Sequence, residues 1–153
     1  MNVLIHQCRQ YLGEEVTIRG WLVHKRSSGQ VRFLILRDGT GILQAILLKN
    51  KIPTEIFQAF DQLTLETSLF VTGILHDDFR APQGVELEVK SFSVFQFTPE
   101  YSFSPKGTAF LMEHRHLWLC SARQQAILWI RHELSRAVRD FLGSNHCPVT
   151  LTA

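Results

Sequence analysis

Residues 14–26 (EEVTIRGWLVHKR) place Val16, Ile18, Gly20 and Leu22 on one parity and end in His24, Lys25 and Arg26. Such a period of two predicts a strand with one face buried. SSGQ (27–30) reads as a turn, VRFLILRD (31–38) as a second strand, GTG as a reversal and ILQAILLK (42–49) as a third strand. Asp38-Gly39 between two apolar runs is a hairpin signal. The period then changes. Ile52, Ile56, Phe57, Phe60 and Leu63 recur every three or four positions, which predicts a helix over 52–63 with Pro53 in its first turn. Strand alternation returns over 68–78 and 84–97. In the second of these Val85, Leu87 and Val89 share one parity, and Phe92, Val94 and Gln96 the other. A switch of parity inside one strand predicts a bulge.

The order is three strands, a helix and two strands. It predicts a mainly β fold: the five-stranded OB-fold barrel with its helix between strands 3 and 4. Residues 98–121 contain Pro99, Pro105 and Gly107 and show no period, so they read as a link. From Ser121 the period is helical, with Ala126, Ile127, Ile130, Leu134, Ala137, Val138 and Phe141 on one stripe, Arg123, Arg131, Arg136 and Arg139 mostly off it, and Gly143 as a stop. The expected organisation is therefore a barrel domain over 1–97, a link over 98–121 and the opening of a second domain over 122–153. Nothing within the chain is left to cover the apolar stripe of that last helix. No repeat or low-complexity segment is present.

Composition narrows this picture only slightly. At 153 residues and 45% hydrophobic the chain can hold one full core plus part of another. No apolar run approaches the length needed to span a bilayer, and MNVLIHQCRQYLGEEV has neither a secretory core nor an Arg/Ser-rich presequence. A cytoplasmic protein without a membrane partner is expected. Cys8, Cys120 and Cys147 are widely spaced and odd in number, which points to plain thiols rather than a disulfide framework or a zinc site. A net charge of +2 does not by itself mark a nucleic-acid binder, so the placement of the charges matters more than their sum.

One constellation has recognisable chemistry. A polar Gln44 in mid-strand favours the outside of a barrel for its own parity, and alternation puts Phe33 on one face of the preceding strand. If both face outward, a ring lies beside an amide and the pair can stack one unpaired base and read its edge. Arg26, with Lys25 beside it, lies just before the turn, where a cation can meet phosphate. The other assignment, Phe33 in the core and Gln44 merely solvated, is compatible with the same alternation. His114-Arg115-His116 lacks the Cys or carboxylate company of a metal site, and Arg115 reads as an RNA or interdomain contact. Glu86 and Glu88 share a parity but have no identifiable cleft for acid–base work. No phosphate-binding glycine motif and no nucleophile–base set occurs, so no catalytic residues are expected within the chain.

Two stretches carry a family likeness. GWLVHKRSSGQVRFLILRDGTGILQAIL (20–47) resembles the anticodon-binding domain of class II aminoacyl-tRNA synthetases of the aspartate, asparagine and lysine subgroup. GTAFLMEHRHLWLCSARQQAILWIRHEL (107–134) resembles the hinge and first catalytic helix of the asparaginyl-tRNA synthetases in particular. The likeness extends over residues 10–142. It implies that Phe33 is the stacking aromatic, that Gln44 reads the middle uracil of the anticodon, that Arg26 touches the anticodon loop, and that Glu86 or Glu88 meets the first anticodon base.

The likeness also implies that helix 122–142 begins motif 1, which builds a homodimer. Motifs 2 and 3, whose arginines hold ATP in full-length members, are not in the chain, so it would be inactive alone and would represent a fragment, a truncated product or an incomplete gene; ATP and magnesium are the cofactors the likeness implies for the whole enzyme. Pro148 departs from the family's spacing, and Cys120 stands where the family has Arg in HLWLRS. The implied function is anticodon recognition within an asparagine–tRNA ligase. The middle base is shared with aspartate tRNA. A non-enzymatic OB-fold module for single-stranded nucleic acid, an amino-acid ligase that no longer uses tRNA and an inactive remnant are the rival expectations.

Overall fold

Inward-facing aliphatic side chains set the architecture. In the computed structural model, which describes residues 1–99 and 107–146, Val16, Ile18 and Leu22 on strand β1 (Glu15–Ser28), Leu34 and Leu36 on β2 (Val31–Arg37), and Leu43, Ala45 and Leu47 on β3 (Ile42–Leu48) are all buried. They meet Leu69, Val71 and Leu75 of β4 (Ser68–Asp77) and Val85, Leu87 and Val89 of β5 (Val85–Gln96) in one core. The strands close into a barrel in the order β1-β2-β3-β5-β4, antiparallel except where β3 meets β5. Each fully buried Leu or Ile in such a core contributes roughly 1.5–3 kcal/mol. Helix α1 (Thr54–Gln62) adds Phe57 and Phe60 to this core. Pro53 sits one residue ahead of the helix rather than within its first turn.

Two glycines permit close strand contact. A Cβ on Gly20 would lie 2.5 Å from the Arg37 carbonyl oxygen, and one on Gly73 would run into the Glu88 carbonyl. Three extra residues interrupt the ladders. Val23 is skipped between the pairs Leu22–Leu36 and His24–Ile35. Lys90 is skipped between Ser91–Thr72 and Val89–Gly73, and Phe95 between Gln96–Ser68 and Val94–Leu69. The parity switch in the last strand is thus a bulge at Lys90, followed by a second at Phe95. The bulge at Val23 leaves no mark in the hydrophobic pattern.

The hairpin turn at Asp38 is tied to the N-terminus. Asp38 Oδ1 accepts from the Thr40 amide, the Thr40 hydroxyl and the Gly41 amide, while Oδ2 accepts from the Ile5 amide at 2.8 Å. Ile5 opens a 3-10 helix over Ile5–Tyr11 that buries Ile5 and Cys8. Burial, with the nearby Asp38 carboxylate, pushes the Cys8 thiol up to about 11, so it is a protonated core group at neutral pH.

Residues fall into two units, Met1–Tyr101 and Ser102–Ala153. Within the second, α2 (Thr108–Glu113) and α3 (Arg115–Trp118) occupy part of the segment expected to be an aperiodic link; helices of six and four residues are too short to show a period. The Ser121 side chain caps α4 (Ala122–Ser144) by accepting from the Gln124 amide. The helix ends at Ser144, one residue past Gly143. Ile130, Leu134 and Phe141 on its apolar stripe are exposed. Cys147 and Pro148 lie outside the described residues. No described helix is long and apolar enough to cross a membrane.

Candidate nucleic-acid interface

The outer surface of the barrel is organised in transverse rows. Cross-strand register puts Arg26, Phe33, Ile46, Glu88 and Ile74 in one row, and His24, Ile35, Gln44, Glu86 and His76 in the next. Leu34, Leu36, Leu43 and Ala45 fill the core, so Phe33 and Gln44 share the outer face on neighbouring strands. Phe33 pairs with Ile46 and Gln44 with Ile35, which makes ring and amide diagonal neighbours. The alternative in which Phe33 belongs to the core does not hold, because it lies on the outward parity of β2 and outside the core cluster.

Arg26 reaches this face because of the bulge at Val23. Unbroken alternation would send it inward with Leu22; the extra residue sends Arg26 outward, opposite Phe33. Its guanidinium carbon lies 4.1 Å from the Phe33 ring centroid. The same switch turns Lys25 to the barrel's interior face, opposite Leu34. There Nζ donates to the carbonyls of Phe60 at 3.4 Å and Asp61 at 3.1 Å and lies 5.4 Å from the Phe60 ring. Lys25 caps the C-terminal end of α1, where a cation meets the helix's unpaired carbonyls. It does not join the Phe33 surface.

Gln44 Nε2 donates to Glu86 Oε2 at 2.5 Å. That bond orients the amide and leaves its oxygen as an acceptor and its second N–H as a donor. An acceptor and a donor side by side suit the imide edge of a pyrimidine. Register separates the two glutamates that alternation left equivalent. Glu86 is buried beside Gln44. Glu88 is engaged by Lys51 Nζ at 2.8 and 2.9 Å, with His76 Nε2 3.8 Å away. His76 and Lys51 also border the face, beside Glu88. His76 is placed by the β4–β5 register after two bulges, and nothing local to its sequence signals that position.

Arg115 opens α3 in the second unit and is exposed. The neighbouring His114 stacks on Phe110 at 4.2 Å and holds the Phe110 carbonyl at 3.0 Å through Nδ1. Among the described residues no group of three or more His, Cys, Asp or Glu could hold a metal ion.

Residues 16–95 match the tRNA anti-codon family, described as OB-fold nucleic acid binding domain. Asparaginyl-tRNA synthetase from Pyrococcus horikoshii, solved with asparaginyl-adenylate, superposes with a TM-score of 0.84 at 30% identity, covering 95% of this chain and 35% of that one. Two further structures share the fold. Asparaginyl-tRNA synthetase from Entamoeba histolytica has a TM-score of 0.80 at 24% identity, covering 100% of this chain and 38% of its own. Aspartyl-tRNA synthetase from the same organism has a TM-score of 0.81 at 22% identity, covering 100% and 39%. The chain thus spans little more than a third of the length of these solved structures.

Proposed function

The chain belongs to the tRNA anti-codon family of OB-fold nucleic acid binding domains, and on that premise we propose that it recognises a tRNA anticodon as the N-terminal part of an asparagine–tRNA ligase. The observation that carries this reading is the outward pairing of Phe33 and Gln44 on adjacent strands, with Arg26 over the ring and Glu86 orienting the amide. In this reading Phe33 stacks the middle base, a uracil, and Gln44 reads its edge. Arg26 moves to phosphate, and Glu86 accepts from the neighbouring first base. The asparagine assignment is supported by the 30% identity to the Pyrococcus asparaginyl enzyme and by the HLWLCS hinge stretch. Such a ligase works in cytoplasmic protein synthesis as a homodimer, and the exposed stripe of Ile130, Leu134 and Phe141 on α4 suits a dimer contact. ATP and magnesium would serve that whole ligase.

The test is a titration of an anticodon stem-loop at fixed salt, since phosphate contacts make affinity steeply salt-dependent. Gln44→Ala weakens binding by about 1–3 kcal/mol, the range of a bidentate base contact. Replacing the middle uracil by cytosine produces a similar loss, and combining the two changes adds little more. Equal affinity for all four middle bases would instead identify a sequence-indifferent module for single strands.

A further inference from the structure

A second aromatic site lies on the far stretch of β1. Arg19, Gly20, Trp21, Ser68, Leu69, Phe70 and Phe95 line an open groove of about 330 Å³. Register brings Arg19 opposite Phe70 and Trp21 opposite Ser68. The Arg19 guanidinium lies 5.2 Å from the Phe70 ring centroid, and Phe95 meets Phe70 edge to face at 5.9 Å. Phe95 is the bulge residue of β5, so the ladder's irregularity points its ring outward, 73% exposed; Trp21 is 47% exposed. Two large exposed rings at the edge of a closed barrel have no part in its core, and rings gathered with a cation signal a ligand surface.

The charges indicate which ligand. No acidic side chain lines the groove. Among the described residues Arg19 has no carboxylate partner, and its contact is with a ring. The groove and the Phe33 surface share strand β1. Arg26, His24, Trp21 and Arg19 follow one another along the outer face of β1, the bulge at Val23 having put all four on that side. At about 3.3 Å per residue, Trp21 lies roughly 15 Å along the strand from Arg26. That is too far to serve the same base and close enough for another nucleotide of the same strand. Alternating cations and rings along a sheet face suit a single strand, whose bases stack while its phosphates are neutralised.

We propose that the Trp21–Phe70–Phe95 groove is a second base-stacking subsite, taking an unpaired nucleotide of the RNA outside the triplet read at Phe33, with Arg19 on its phosphate. The proposal rests on the RNA-reading function above, and its test separates the two. The probes are a labelled heptaribonucleotide with an anticodon-loop sequence and its central trinucleotide, titrated by anisotropy against the full chain. Phe95→Ala and Trp21→Ala each weaken the heptamer roughly 5- to 150-fold, the span that stacking one base on an aromatic provides, and leave the trinucleotide unchanged. Phe33→Ala weakens both. Arg19→Gln, an exposed change that leaves both rings in place, weakens the heptamer alone and keeps the test decisive if a ring variant misfolds.

The subsite is overturned if Phe95→Ala, Trp21→Ala and Arg19→Gln all leave heptamer affinity unchanged while Phe33→Ala lowers it; anticodon reading then stands without it. If Phe33→Ala is silent as well, both readings fall. A self-association in sedimentation that Phe95→Ala abolishes without altering RNA affinity would make the groove a protein contact and equally overturn the proposal.

Discussion

The contact between Arg26 and Phe33 gives a prediction whose two parts can be measured separately. The guanidinium carbon is 4.1 Å from the ring centroid, so it occupies the ring face that a base would use. An exposed cation–π contact is worth about 0.5–1 kcal/mol, whereas stacking a base on an aromatic contributes about 1–3 kcal/mol. Exchange of one for the other is therefore favourable, and more so if the released cation meets a phosphate. Each phosphate neutralised on a single strand adds about −0.7 to the slope of log K against log salt.

Arg26→Gln should make that slope shallower by about 0.7. A factor of four in salt, from 50 to 200 mM, then changes the penalty of the substitution by roughly 2.6-fold. Phe33→Ala should behave differently. It lowers affinity at every salt concentration, by the stacking energy less the 0.5–1 kcal/mol formerly spent displacing the cation, and leaves the slope alone. The assay is anisotropy with an anticodon stem-loop at five or six salt concentrations for the wild type and both variants. An Arg26→Gln line parallel to the wild type would show that Arg26 meets no phosphate. A Phe33→Ala effect confined to the slope would show that the ring does not stack.

Two stability predictions concern the scaffold that holds this face. Gly73→Ala forces a methyl group into the Glu88 carbonyl beside the Lys90 bulge, and should cost about 1–3 kcal/mol in urea melts. Gly39→Ala, with open space around the added carbon, should stay within about 1 kcal/mol of wild type; equal effects at the two positions would refute the close-contact argument. Burial raises the Asp38 carboxyl, but hydrogen bonds from the Ile5 amide, the Thr40 hydroxyl and amide and the Gly41 amide outweigh it and hold the group below the usual carboxylate range. A depressed folded-state value means that this stabilisation is complete above about pH 4 and disappears as pH falls through the folded value. Asp38→Asn should therefore destabilise by about 1–2 kcal/mol at pH 7, allowing for partial solvent screening, and the gap should close at lower pH. A gap that stays constant down to pH 3 would show that the carboxylate's charge contributes nothing.

Much of this arrangement can be read from local pattern, because burial acts residue by residue. Val16, Ile18 and Leu22 announce the inner face of β1, and Gln44 announces the outer face of β3, since a mid-strand amide is costly to bury unpaired. The change from period two to period 3.6 locates α1 to within two residues at each end. The parity switch in β5 likewise reveals the bulge at Lys90. By contrast, the 3-10 helix over Ile5–Tyr11 and the short α2 and α3 lack the length to establish a period. Gly143 marks the end of α4 to within one residue, since the helix stops at Ser144.

What local pattern does not contain is register, and the candidate site depends on register. Glu86 and Glu88 are equivalent by alternation: both are acidic, both outward and two residues apart. They become different only because β3 and β5 run parallel with Gln44 beside Glu86, a pairing of residues 42 positions apart in the chain. Arg26 and Lys25 are likewise adjacent cations that alternation puts on opposite faces without saying which is outward. One inserted residue, Val23, sends the first onto Phe33 and the second onto the carbonyls that end α1. A bulge in β1 has no local signature because its neighbours His24 and Lys25 are polar on both parities, so no apolar residue marks the switch. In β5 the flanking residues are Val89 and Phe92, and the same kind of irregularity can be read directly. An apolar residue on each side of the extra residue therefore decides whether a bulge, and the side chains it re-aims, can be found from the sequence.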